Sequence, residues 1–123
     1  MRKLILDKNN LIKSVIEKSK KITIISHVNP DGDAVGSSLA LWQVLKNRGN
    51  NDVKVVTPSR YPDFLVWLSG GDNVIVGNKD FNFAKDTIES SDLLVLVDFS
   101  TIDRTGCLES LIKNSNAIKI HID

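Results

Sequence analysis

His27, Asp31 and Asp33 stand close together in the stretch HVNPDGDAVGSS, directly after an apolar run, and Asp98 follows a second apolar run far along the chain. An imidazole and two carboxylates brought together without a basic residue among them are electrostatically poor, because the carboxylates repel and raise each other's pKa. A divalent cation removes that penalty. Nitrogen and oxygen donors with no thiolate suit manganese or magnesium better than a structural zinc site. Taken singly, each residue has an ordinary use. Asp33 can cap the helix that follows, Asp31-Gly32 is a common turn pair, His27 can be a hydrogen-bonded histidine near a strand end, and Asp98 can cap its own turn. The joint pattern favours the metal.

These residues need elements to hold them. Ile22, Thr23, Ile24 and Ile25 read as a parallel strand, mostly β-branched and apolar on both faces. Open α/β sheets bind ligands at the carboxyl ends of such strands, where His27 stands. Pro30 and Gly32 predict a tight turn over 29–32 that draws His27, Asp31 and Asp33 together. A helix over 34–48 follows, with Val35, Leu39 and Trp42 on one stripe, Leu41, Val44 and Leu45 broadening it, and Gly49 at its end. Its amino terminus offers free amides and a dipole that favour an anion such as phosphate. Ser37 and Ser38 are further donors there, or simply small residues packed near a strand.

The remaining pattern alternates helix and strand. An amphipathic helix is predicted over 7–19, strands over 52–57 and 73–76, a short helix over 62–68 with Trp67 in the core, and a helix over 80–90 with Phe83, Thr87 and Ile88 inward. Gly70-Gly71 punctuates the turn before the short strand. Leu93 to Val97 is the most apolar strand, and Asp98 at its end repeats the placement of His27. A loop over 100–106 carries Arg104, then come a helix over 107–114 with Leu108, Leu111 and Ile112 inward and a strand over 117–122. His121 reads as a strand residue near the ligand edge rather than a ligand. This order predicts a Rossmann-like three-layer α/β domain with a mostly parallel sheet. Dinucleotide binding is disfavoured, since no GxGxxG follows the first strand.

HVNPDGDAVGS resembles the first motif of the DHH phosphoesterases, metal-dependent enzymes that cleave phosphate esters and phosphoanhydrides, and VDFS at 97–100 resembles their second. Within the family the chain is most similar to the branch of small oligoribonucleases that also dephosphorylate phosphoadenosine phosphate. The resemblance implies a first metal held by His27, Asp31 and Asp98, a second held by Asp33 and the shared Asp98, and manganese as the ion, with magnesium possible. It implies Asp123 as a residue orienting a neighbouring histidine. Arg104 is either a bidentate phosphate ligand, as that branch often carries, or a surface partner of Asp103 or Glu109. In the family the chain continues into Asp-His-His, a later aspartate ligand and a substrate-binding domain. Residues 1–123 are therefore expected to be the amino-terminal part of a larger catalytic domain.

Composition sets the outer limits. With 41% hydrophobic and 25% charged residues the chain reads as one globular domain, and its net charge of +1 gives no broad field for nucleic acid. Affinity for a nucleotide must come from a local site. Cys107 is the only cysteine, so no intrachain disulfide forms, and it reads as a small core residue. No stretch reaches transmembrane length and no signal segment is legible, so a cytoplasmic location is the default. The expected function is a two-metal phosphoesterase acting on a small nucleotide or a short single-stranded oligonucleotide, without a membrane partner and with a homodimer left open. A pyrophosphate or polyphosphate hydrolase and a non-catalytic nucleotide-binding domain are the alternatives.

Overall fold

The computed structural model describes residues 11, 13–26, 32–49, 52–58, 74–97 and 102–122, and of 32–37 and 102–104 it describes the backbone alone. Runs of β-branched residues and leucine form five strands: β1 (Lys21–Ile25), β2 (Asp52–Thr57), β3 (Val74–Val76), β4 (Leu93–Val97) and β5 (Ile118–Ile122). All pair in parallel, in the order β3-β2-β1-β4-β5. Parallel neighbours cannot be joined by a tight hairpin, so the connections must cross a face of the sheet. Helices make or precede those crossings: α1 (residues 13–18), α2 (Gly32–Asn47), α3 (Phe81–Glu89) and α4 (Glu109–Lys113). The domain is the three-layer α/β fold expected.

Side-chain alternation along each strand divides the core in two. Ile22, Ile24, Val53, Val55, Leu93, Val95 and Val97 pack beneath α2 through Leu39 and Leu45, with Val15 and Ile16 of α1 alongside. Ile25, Val56, Leu94 and Leu96 pack on the other face against Ala84 and Ile88 of α3 and Leu108 and Ile112. Every residue of β4 is buried. At about 1.5–3 kcal/mol for each fully buried aliphatic side chain, β4 and its neighbour β1 outweigh any surface contact in holding the fold.

The amino edge of the sheet is closed by hydrogen bonds. Asp92, just before β4, accepts from the backbone N–H groups of Lys20 and Lys21 at 3.0 and 3.1 Å through its carboxylate, and its own N–H donates to the Lys21 carbonyl at 2.9 Å. Thr23 and Ser91 join their hydroxyls at 2.5 Å, and Ser91 donates on to the Thr87 carbonyl at 2.7 Å. On the opposite face Trp42 donates its indole N–H to the Val53 carbonyl at 3.0 Å, tying α2 to β2. The half-buried ring thus keeps a polar partner.

Several expectations are corrected. Phe83 is 55% exposed, because the buried stripe of α3 runs through Ala84 and Ile88 and the 3.6-residue period carries position 83 well round from it. Thr87 is half-buried at the stripe's margin. Val44 is exposed, while Leu39 and Leu45 of α2 are buried and Leu41 and Trp42 pack partly buried against the same cluster. Residues 102–108 form a 3₁₀ segment rather than a loop, kinked at Gly106, and α4 begins at Glu109 rather than within a helix from 107. Leu108 and Ile112 are nevertheless buried as expected, with Leu111 partly so. Cys107 lies at the surface, not in the core. The expected helix over 62–68, Trp67 and Gly70-Gly71 lie outside the described residues, as do the first residues of the helix expected over 7–19. Among the described residues no helix is long and apolar enough to cross a membrane.

Two glycines are used for different reasons. Gly49 takes a φ of +94° where α2 ends, the left-handed termination expected of it. Gly77 is instead a matter of space, since its N–H meets the Thr57 carbonyl at 2.6 Å and a Cβ would come within 3.2 Å of that carbonyl and 3.0 Å of Leu108 Cδ2. Leu108 is fully buried and cannot swing away. Gly77→Ala is therefore expected to destabilise the domain by about 1–3 kcal/mol. Chemical denaturation should show a lowered midpoint at unchanged slope, and an unchanged midpoint would refute this close packing.

Candidate functional site

The strand order reverses beside β1, which has β2 on one side and β4 on the other. In open parallel sheets such a switch point opens a crevice at the carboxyl edge, because the connections leave on opposite sides. The register aligns what reaches that edge. Ile25 of β1 is opposite Leu96 of β4, and Leu96 is opposite His121 of β5. Counted along the chain, His27, Asp98 and Asp123 each stand two positions beyond this row. The carboxyl ends of β1, β4 and β5 therefore stand at one level of one edge of the sheet.

Those three residues and Asp31 lie outside the described residues. Asp33 falls in the first turn of α2, which begins at Gly32, so it is the second helical residue rather than the cap. A carboxylate there still favours the helix dipole. Ser37 is also in α2, and Arg104 is in the 3₁₀ segment that follows β4. Among the described residues no three His, Cys, Asp or Glu side chains gather to hold a metal. His121 is exposed on β5, the strand placement expected for it.

Two residues that the sequence did not single out stand at the same edge. Ser26 continues the ladder one step past β1, its N–H meeting the Val56 carbonyl at 3.3 Å, and the register sets it beside Thr57. Both are buried, at 0% and 1% exposure, and among the described residues neither Ser26 Oγ nor Thr57 Oγ1 has a hydrogen-bond partner. A buried hydroxyl left unpaired costs about 1–3 kcal/mol, as much as burying an aliphatic side chain gains. Polar demand is thus built into the carboxyl edge. The signal was present in the sequence, where two β-branched runs, ITIIS and VKVVT, each end in a hydroxyl.

Other candidates are weaker. A cleft of about 220 Å³ lies at the amino edge, lined by Lys21, Asp52, Lys54, Phe83 and Asp86 among others. Its charges cancel, and Lys54 Nζ sits 2.8 Å from Asp52 Oδ1, holding that carboxyl below its usual range. Parallel sheets place their chemistry at the other end. Partial burial pushes the Cys107 thiol up, with its Sγ 3.5 Å from the Pro58 carbonyl. A thiol that stays protonated at neutral pH is a poor nucleophile and a poor metal ligand.

Known proteins share this fold and part of this sequence. Over 60 residues the chain is 42% identical to the bifunctional oligoribonuclease and PAP phosphatase NrnA of Thermus thermophilus, a match that covers 48% of this chain and 18% of that protein. Its fold is similar to the crystal structure of an exopolyphosphatase-related protein from Bacteroides fragilis, with a TM-score of 0.89 and 34% identity, over 93% of this chain and 33% of that one. The chain thus spans about a third of the length of that structural relative. Residues 21–123, from the first residue of β1 to the aspartate after β5, match the DHH family, N-terminal domain, and the chain belongs to that family.

Proposed function

We propose that this chain forms the amino-terminal part of a manganese-dependent phosphoesterase that hydrolyses short oligonucleotides or small nucleotide phosphates. The observation that carries the reading is the common level of the β1, β4 and β5 ends at the switch point, with a histidine and two aspartates two positions beyond it. The donor set, one imidazole and three carboxylates, fits hard divalent ions, and the unpaired hydroxyls beside it fit a polar centre. His27, Asp31 and Asp98 would hold one ion, and Asp33 with Asp98 would contribute to a second. The ions, when bound, activate water near neutral pH and offset charge on the phosphate oxygens.

The chain's own groups do the rest. Three aspartates against two divalent ions leave the site about one unit positive, which attracts a phosphate; with a single ion the sum is negative and repels it. The amino terminus of α2 and Ser37 add donors for the anion. Arg104 follows β4 on the 3₁₀ segment, and its forked guanidinium suits bidentate contact with a phosphate. Asp123 orients a ligand histidine in the longer protein. A second reading, hydrolysis of polyphosphate or pyrophosphate, draws on the likeness to an exopolyphosphatase-related protein. A cytoplasmic location remains the proposal for the compartment.

Calorimetric titration of the chain with manganese should show a saturable site, and His27→Ala should weaken it by about 100-fold or more, since even outer partners of a metal ligand are worth 10- to 100-fold. Absence of saturable binding by the wild type would overturn the metal reading. In the longer protein, Asp98→Asn should abolish manganese-dependent turnover while leaving the unfolding temperature unchanged or higher, because it relieves carboxylate repulsion. Retained turnover would remove Asp98 from the bridging role. Comparing an oligoribonucleotide, phosphoadenosine phosphate and polyphosphate as substrates separates the two readings.

A further inference from the structure

β5 is the last strand of the sheet, and among the described residues no strand pairs with its outer side. Ile118, Ile120 and Ile122 share one of its faces by alternation, the face beneath α2, since Ile120 packs partly buried against that cluster. Ile118 and Ile122 are 54% and 46% exposed, whereas Leu93 and Val97, their neighbours in register on β4, are buried. The buried layer on this face therefore ends between β4 and β5. An open edge carrying apolar side chains invites another strand, and proteins usually guard such edges. The opposite edge is guarded: β3 pairs with Val55 to Thr57, the ion pair of Lys54 and Asp52 stands beyond it, and Trp42 donates to the Val53 carbonyl. β5 contains no proline, and its one lysine, Lys119, turns its Nζ back to the Ser115 carbonyl at 3.0 Å. The Ile118 N–H donates inward to the Asp92 carbonyl at 3.1 Å, so the next residue, Lys119, directs its own N–H and carbonyl to the outer side.

We propose that β5 is the docking surface for a second copy of this chain, the two β5 strands pairing antiparallel about a two-fold axis at Ile120. A two-fold contact uses the same patch on both copies, so the patch must complement itself. The strand IKIHI does so. With Ile120 opposite Ile120, Ile118 of one copy lies opposite Ile122 of the other, and each exposed isoleucine meets an exposed isoleucine. Sliding the pairing by two residues one way opposes the two Lys119 side chains, and sliding it either way leaves an isoleucine unmatched. Antiparallel pairing points the carboxyl edges of the two sheets in opposite directions and leaves both open. A strand of five residues offers less than the roughly 800 Å² per partner of a standard interface, so the association is weak and depends on concentration.

Sedimentation velocity over a concentration series should show a monomer–dimer equilibrium for the wild type. Ile118→Lys should weaken it about 10-fold or more, because the two-fold brings the charge twice into an apolar contact, while Ile118→Val should leave it unchanged. Position 118 is exposed, so thermal unfolding of the dilute Ile118→Lys monomer should match that of the wild type. Cross-linking in a Cys107→Ser background reads the register. Ile120, like Ile118, bonds inward to β4, and antiparallel residues that face each other without a direct hydrogen bond stand about 4.5 Å apart at Cα, within disulfide reach. Ile120→Cys should therefore form a disulfide-linked dimer in oxidised glutathione. Ile118→Cys should not, since its two-fold mate lies four residues along the strand, about 13 Å away. A wild type that stays monomeric at every concentration overturns the proposal and assigns the edge to another part of the longer protein. Association that Ile118→Lys leaves intact, or cross-linking of Ile118→Cys as readily as of Ile120→Cys, overturns it as well and places the contact elsewhere or in another register.

Discussion

A parallel sheet covered by helices on both faces has no polar face to offer, and the rest of this structure follows from that constraint. Backbone hydrogen bonds satisfy the strands internally, and both faces of β1 and β4 are filled with isoleucine, leucine and valine. Apart from the hydrogen-bonded Thr23 within β1, polar groups of the central strands are accommodated where the strands begin and end. The two ends are used differently. At the amino edge the Asp92 carboxylate and the Thr23–Ser91 pair close the sheet with satisfied bonds. At the carboxyl edge two buried hydroxyls lack partners among the described residues. Satisfied polar groups stabilise, and unsatisfied ones mark where a fold keeps capacity for a ligand or a mobile side chain.

Reversal of strand order beside β1 decides which residues share that edge. β1 and β4 are separated by most of the chain yet pair directly, residue for residue from Ile22 with Leu93 to Ile25 with Leu96. The fully buried β4 fixes this register, since a slip of one residue would turn every side chain to the wrong face. Packing far from the edge therefore fixes how the carboxyl ends of β1 and β4 align. In a proposed metal centre, where ligand distances must hold to a few tenths of an ångström, that rigidity is the scaffold's contribution.

Membership of the DHH family agrees with this division of labour. Fold and motif run together over residues 21–123, whereas the chain spans about a third of its structural relative. The described residues supply the sheet and the buried hydroxyls at its carboxyl edge. In the proposed phosphoesterase, substrate choice depends on contacts with the phosphate and its leaving group, which these strands alone do not supply.

Much of the architecture was legible because strongly patterned runs leave little choice. DVKVVT and LLVLV form strands with the bounds expected, since β-branched and leucine-rich segments of that length cannot bury both faces otherwise. The glycine at 49 ended α2 through its positive φ. The candidate metal residues His27, Asp31 and Asp33 are read as a set because their joint pattern favours a cation, and His27 and Asp31 lie outside the described residues. Other features required the tertiary structure. Phe83 and Cys107 look like core residues by composition, but the stripe through Ala84 and Ile88 turns one outward and the 3₁₀ segment leaves the other at the surface. The alignment of Ile25, Leu96 and His121 is a property of strand pairing between distant segments, and no local pattern encodes it. Nor does the sequence reveal that Ser26 and Thr57 are buried without partners, because satisfaction of a hydroxyl depends on what the fold places around it. Sequence determined the elements and the residues that follow them; pairing across the chain decided which strand ends lie side by side.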